Sequence, residues 1–252
     1  MDRRLFRAAS GAVFALTAMT ASVQAQEADS ASIFDVERTE GFYEHDGFGY
    51  TLPDEVAEFP GLNEQLTAER EQARAEFDDM VTELRSEMPD SPMLDHLAMD
   101  TYWVSPGRAG RLLSLASTTY IYGGGAHGNT GYGARIWDTA EDHAVDFAYL
   151  FTDRYAAYAN IDRAYCAQLA AMQADRGVET DYSWWNACPL LHEQAIAPGS
   201  GSGGAFDTIH IVVAPYVAGP YVAGSFEISV PVTQALVDLV KPEYHDAFAA
   251  AN

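Results

Sequence analysis

Residues 122–129 read YGGGAHGN, and Gly123-x-Gly125-x-x-Gly128 is the letter pattern of a dinucleotide-binding turn. Asp146 lies about twenty residues on, near the place of a ribose-binding acid. The two readings of this stretch lead to different architectures, so it constrains the fold first. A dinucleotide turn follows a buried parallel strand and opens directly into a helix whose N-terminus faces the pyrophosphate. Here Gly128 is followed by NTGYGARIW, which alternates like a strand and carries two more glycines. The stretch is therefore read as a bulged bend or hairpin corner, where consecutive glycines permit positive φ and close backbone approach. No nucleotide cofactor is expected. Such a corner displays His127 and Asn129 at its tip, beside Tyr120 and Tyr122, either as punctuation or as a recognition loop.

A second stretch of the same character is PYVAGPYVAG, residues 215–224, which repeats five residues. It sets Pro215 against Pro220, Tyr216 against Tyr221 and Gly219 against Gly224. Proline and glycine at this period exclude a helix and a central strand. The expectation is a pair of rigid turns presenting two tyrosines, too short a tandem to be a solenoid.

Between these corners the periodicity gives an α+β chain: an antiparallel sheet packed by a long helix in the N-terminal half and a second, disulfide-tied helix. From Pro60 to Met88 the apolar residues Leu62, Leu66, Ala73, Phe77, Met80, Val81, Leu84 and Met88 fall at helical spacing, with proline suited to the first turn. Residues 42–56 suggest an extended edge. Residues 94–105, 111–122 and 131–138 read as an antiparallel meander broken by short turns. A second helix is expected from Thr152, as its cap, to about Asp175, with Ala157, Ile161, Tyr165 and Leu169 inward. APGSGSGGAFD reads as a mobile connection. Strands over 208–213 and 225–230 and helices near 233–240 and 243–250 close the chain. His210, inside an apolar strand, reads as a hydrogen-bonded core histidine.

Arg3, Arg4 and Arg7, an apolar run from Ala8 to about Thr20 and Val23-Gln24-Ala25 have the form of a secretory signal peptide over residues 1–25. The expected product is periplasmic or secreted after cleavage near Ala25. It has a flexible terminus over 26–37 and one domain whose halves are 38–145 and 146–252. No later stretch approaches the length of a membrane span. Removal of residues 1–25 takes three of the 14 basic residues and one of the 37 acidic ones, moving the net charge from −23 to about −25. Such a charge argues against nucleic acid and anionic membranes. It would speed encounter with a cationic protein, or simply keep the chain soluble. Cys166 and Cys188, in an oxidising compartment, are expected to pair, closing a loop worth roughly 3 kcal/mol.

The strand ending YIYGGGAHGN, the later FAYLF and the segment VVAPYVAGPYVAGSFEISVP resemble an extracytoplasmic domain family of unknown function. That family includes the lysozyme-binding ectodomain of the RsiV anti-sigma factor and the N-terminal domain of the PdaC peptidoglycan deacetylase. Its usual forms are close to Y-T-G-G-A-H-G and P-Y-x-x-x-P-Y-x-x-G. Gly124, Gly125, Ala126 and His127 match the first, and Pro215, Tyr216, Pro220, Tyr221 and Gly224 the second. The likeness spans roughly residues 38–245. A family turn usually reading T-G-K is replaced by DTAEDHA, and neither the RsiV membrane span and sigma-binding segment nor the PdaC catalytic domain is present. The resemblance therefore implies an α+β envelope domain that binds lysozyme-like or other wall-associated ligands, without anti-sigma or deacetylase activity.

The remaining chemistry is thin. Asp95-His96 and Asp142-His143 with His127 lack the spacings of a metal site, and none is expected. GSGSGG places Gly201 where a nucleophile elbow needs serine. Acid pairs for sugar hydrolysis carry no specificity among so many carboxylates. Tyr182, Trp184, Trp185, Tyr216 and Tyr221 can anchor an interface or stack on sugars, although the tryptophans are first read as covering the disulfide. Two functions stand. One is a non-catalytic envelope binding protein for a basic partner such as lysozyme or for wall glycan. The other is a peptidoglycan-directed hydrolase with an unrecognised acid/base pair.

Overall fold

Pro60 opens α1 (Pro60–Glu87), where a missing amide costs nothing because the first turn has no carbonyl to bond. The residue before it, Phe59, offers no side-chain cap. A distant group does that work: Asp142, in the turn between residues 138 and 143, accepts from the Gly61 amide at 3.0 Å and from the Trp137 indole at 3.1 Å. The helix start is thereby held to the sheet it covers. Leu62 and Leu66 pack with Val56, Phe59, Trp103, Leu113, Leu115 and Trp137 into one buried cluster, and Phe77 meets Phe48 at 6.0 Å. Met80, Val81 and Leu84 stay half-buried and Met88 is exposed, so the apolar stripe is used mainly near its start.

The computed structural model describes residue 33 and residues 47–179, 184–200 and 204–251. The expectations for a signal peptide and flexible terminus lie outside these residues except at Ile33. So do Phe42–Asp46, Tyr182 and the 201–203 stretch; Trp184 is placed in a short 3₁₀ turn.

The first sheet has the order β1-β2-β3-β4-β5, with β1 Gly47–Thr51, β2 Ala98–Ala109, β3 Leu112–Tyr122, β4 Asn129–Asp138 and β5 His143–Val145. β2 to β4 form the expected antiparallel meander, which the short β5 extends by one further antiparallel strand. β1, however, is a parallel edge strand on β2, because α1 lies between them in the chain and returns the backbone in the same direction. Residues 94–96, read as the start of a strand, belong instead to a 3₁₀ turn over Pro92–His96. Alternation along β3 sends Leu113 and Leu115 towards α1 and Leu112, Ser114 and Ala116 to the opposite face.

That opposite face receives a second sheet, β6-β7-β8 (Ala195–Gly199, Thr208–Val213, Phe226–Pro231), all antiparallel. Ala116 of the first sheet meets Ala197 and Val212 of the second. β6 corrects the reading of APG as loop: Pro198 lacks an amide, but an edge strand tolerates that. Ile209, Ile211 and Val213 face away and pack with α2 (Arg154–Asp175) through Ile161, Tyr165 and Leu169. The layers are thus helix, sheet, sheet, helix.

Asp153, not Thr152, caps α2, accepting from the Tyr155 and Ala156 amides. A carboxylate also favours the positive helix end, whereas the Thr152 hydroxyl donates to the Leu239 carbonyl at 3.0 Å. Cys166 on α2 is bonded to Cys188 in the following loop. Thr233 caps a short α3 (Gln234–Val237), and Pro242–Ala247 is a 3₁₀ helix rather than the expected α-helix.

Candidate functional site

The two corners flagged in the sequence come from different sheets and meet. Residues 123–128 join β3 to β4 in the first sheet, and residues 214–225 join β7 to β8 in the second. The imidazole of His127 stacks on the Tyr221 ring, with centroids 3.6 Å apart and planes 14° off parallel. Tyr216 completes the group, 5.5 Å from Tyr221 and 6.5 Å from His127. Stacked pairs of this kind contribute about 0.5–1.5 kcal/mol beyond their burial.

One backbone oxygen organises the cluster. The Gly128 carbonyl accepts from the Tyr221 hydroxyl at 2.9 Å and lies 2.8 Å from His127 Nδ1. A carbonyl only accepts, so Nδ1 is the donor in this contact. The Tyr216 hydroxyl lies 3.3 Å from Nε2, within hydrogen-bond reach. The imidazole is thereby held from both ends. Gly128 is glycine for a steric reason: a Cβ there would lie 2.3 Å from two carbons of the Tyr120 ring. Burial pushes the Tyr120 hydroxyl above its ordinary value, reinforced by Tyr221, Tyr122 and Asp100.

Tyr216 itself is held in the left-handed region, at φ 71°. A non-glycine residue there costs about 1–2 kcal/mol, and its surroundings have to enforce it. The Trp185 indole donates to the Tyr216 carbonyl at 3.1 Å. The buried Gln173 amide donates to the Ala218 carbonyl at 2.7 Å and to the Trp185 carbonyl at 3.2 Å, clamping the turn to the segment behind it. Arg176, lying over Phe226 at 4.5 Å, donates to the carbonyls of Ala223 and Ser225. Tyr216 nevertheless leaves 51% of its surface exposed, and Val217 and Val222 beside it are exposed too. A hollow of about 530 Å³ lies on the flank of the turn, between Trp185, Pro220 and Val222. The arrangement offers ring faces, one phenol and one imidazole on a stiff support, which is chemistry suited to contact.

No protein-family model matches the chain, and no curated protein matches it. Solved structures resemble it, two of them as follows. One is a DUF3298 family protein from Pseudomonas aeruginosa PAO1, 18% identical, covering 69% of this chain and 79% of its own, with a TM-score of 0.47. The other is a member of the DUF3298 family from Bacteroides fragilis NCTC 9343, also 18% identical, covering 75% and 76%, with a TM-score of 0.45. The structural neighbours are thus DUF3298 proteins, and neither is described by an activity.

Of the residues singled out in the sequence, His127, Tyr216 and Tyr221 are in direct contact and Tyr120 abuts them through Gly128. Tyr122 turns its hydroxyl to the Gly125 carbonyl at 3.1 Å and so braces the loop from within. Asn129 is exposed at the start of β4, paired with Ile121 across the ladder. Gly124 and Gly125 take positive φ, and the loop rests on Met93, whose thioether occupies the place of a Gly124 side chain. Gly224 closes the 221–223 turn at φ 71°. Among the described residues no three His, Cys, Asp or Glu side chains are grouped to hold a metal ion. His210 is half-buried, with Nδ1 3.1 Å from the Ser229 hydroxyl.

Sequence reasoning missed Gln173 and did not foresee that Trp185 would bond the tyrosine turn. Gln173 had a signal: Ala157, Ile161, Tyr165, Leu169 and Gln173 continue one i, i+4 series, and a polar residue on a buried stripe has to find partners. Trp185 faces the tyrosine turn through its indole rather than serving only as a lid for the disulfide.

Proposed function

We propose that this chain is an exported, non-catalytic binding protein of the cell envelope, and that the corner of His127, Tyr216 and Tyr221, with Tyr120 behind it, is its recognition surface. The observation that carries this is Tyr216, an exposed aromatic residue kept in an unfavourable backbone conformation by buried and half-buried groups behind it. Strain of that kind persists where a surface is being presented. Rigid tyrosines supply contact area at low entropic cost, the property of interface anchors. The disulfide and the leader-like first 25 residues support an exported setting, and no described helix is long and apolar enough to cross a membrane. The charge of −23 favours a basic partner, and the motif resemblance makes a lysozyme-like protein the first to test, with wall glycan second.

The test is direct binding of the purified chain to lysozyme and, separately, to purified peptidoglycan at low and high salt. Lysozyme binding that weakens with salt, and weakens at least tenfold in Tyr216→Ala and Tyr221→Ala, supports the reading. Variants that bind as tightly as the unsubstituted chain, or binding to neither probe, would sink it.

A further inference from the structure

A second hollow, of about 680 Å³, runs along the N-terminal half of α2, between the helix and the chain from Cys188 to His192. It adjoins a hollow of about 390 Å³ with which it shares Asp146, Tyr158 and His192. Tyr158 and Gln173 are fifteen positions apart on α2, about 22 Å at helical rise, so this groove is remote from the tyrosine corner.

Its walls combine three kinds of group. Tyr155 and Leu190 stand at its margin with 73% and 57% of their surface exposed, an unusual display for large apolar side chains away from the corner. Tyr158, half-buried, meets His192 edge-on at 6.3 Å. Two carboxylates, the exposed Asp146 and the half-buried Asp162, line the groove. Asp146 accepts from the Ala148 amide. Asp162 has no hydrogen bond or ion pair among the described residues. Burial pushes the Asp162 carboxyl upward, with only partial relief from His192, so it sits partly desolvated without a close counter-ion. The groove's own guanidinium, Arg154, donates to the Tyr155 hydroxyl at 2.9 Å, lies over that ring at 4.9 Å and interacts with Asp146 and Tyr158, leaving Asp162 the carboxylate open to a second cation.

We infer that this groove is a second binding site, which takes a lysine or arginine side chain of a basic protein. A cationic head set against Asp162 and the face of Tyr158 gains charge pairing and cation–π attraction together. Its aliphatic stem covers Leu190 and Tyr155. An anionic ligand would meet two carboxylates, in a chain with 37 acidic residues against 14 basic ones. The inference stands apart from the role given to the corner, since it uses none of the same side chains.

The probes are hexa-arginine and hexa-lysine peptides, titrated into the full chain and followed by isothermal calorimetry, with an N-acetylglucosamine oligomer alongside. The peptides are expected to bind saturably. Affinity should fall about tenfold in Asp162→Asn and severalfold in Leu190→Ser. It should be unchanged in Asp79→Asn, an exposed acid on α1. Thermal melting of each variant establishes that it is folded. Equal losses in Asp79→Asn and Asp162→Asn would mean diffuse charge and overturn the site. So would a folded Asp162→Asn variant that binds normally, the absence of peptide binding, or binding of the oligosaccharide in place of the peptides. Loss in Tyr216→Ala alone would move peptide binding to the corner and overturn the groove.

Discussion

At the scale of single residues, the corner depends on two positions with opposite demands. Tyr216 occupies left-handed backbone without being glycine. Tyr216→Gly relaxes that backbone while deleting the ring and its hydrogen bond to His127. We expect a melting temperature within a few degrees of the unsubstituted chain and partner binding reduced at least tenfold, measured by scanning calorimetry and titration. Gly128 is the reverse case, because any Cβ collides with the Tyr120 ring. Gly128→Ala should cost about 1–3 kcal/mol in denaturant unfolding and disturb the near-UV signal of the tyrosines. The tyrosines, His127 and the need for glycine were legible from the letters alone, since proline and glycine at short spacing leave few backbone options. Their meeting was not legible, because nothing local in either stretch encodes contact between residues 89 positions apart, such as His127 and Tyr216.

At the scale of elements, the helices were read well in their interiors and less well at their ends. The inward series on α2 was plain from spacing, yet the cap moved from Thr152 to Asp153, a choice between adjacent capping residues that tertiary contact with Leu239 decided. β1 was read as an extended edge but not as a parallel one, a direction set by the helix that follows it; β6 escaped because it is written in residues that ordinarily mark loops. Gln173 shows what the end of α2 does. Gln173→Leu preserves the buried stripe but leaves the carbonyls of Ala218 and Trp185 without their donor. It should lower stability by about 2–4 kcal/mol and weaken partner binding in step, with chemical denaturation and titration as the two readouts. Replacing both Cys166 and Cys188 with serine should cost about 3 kcal/mol, since the closed loop carries Trp185.

At the scale of the molecule, acid acts through two groups with the same sign. Asp138, fully buried, is pushed upward by burial, but the Arg111 guanidinium at 2.7 Å and the amides of Ala140 and Glu141 outweigh this and hold it below the usual carboxylate value. Its contribution is complete above the unfolded value, near 3.9, and is lost as pH falls through the lower folded one. Burial lowers His210 as well, against a weaker opposite pull from Asp207. A base depressed in the folded state stabilises fully above its unfolded value, near 6.5, and loses that contribution as pH drops towards the folded value. Melting temperature should therefore decline below about pH 6.5 and again below about pH 4, and His210→Gln should flatten the first decline. The α+β class and the long helix were evident in the periodicity; the stacking of one sheet on another was not, because Ala116, Ala197 and Val212 are small and unremarkable in sequence. That stacking has a mechanical consequence. Each half of the aromatic corner rides on a different sheet, so a ligand gripping both would act as a stitch across the seam. Saturating ligand at a hundred times Kd would then resist separation of the layers by about 2.7 kcal/mol, and thinning the seam at Val212 would loosen the grip from a distance.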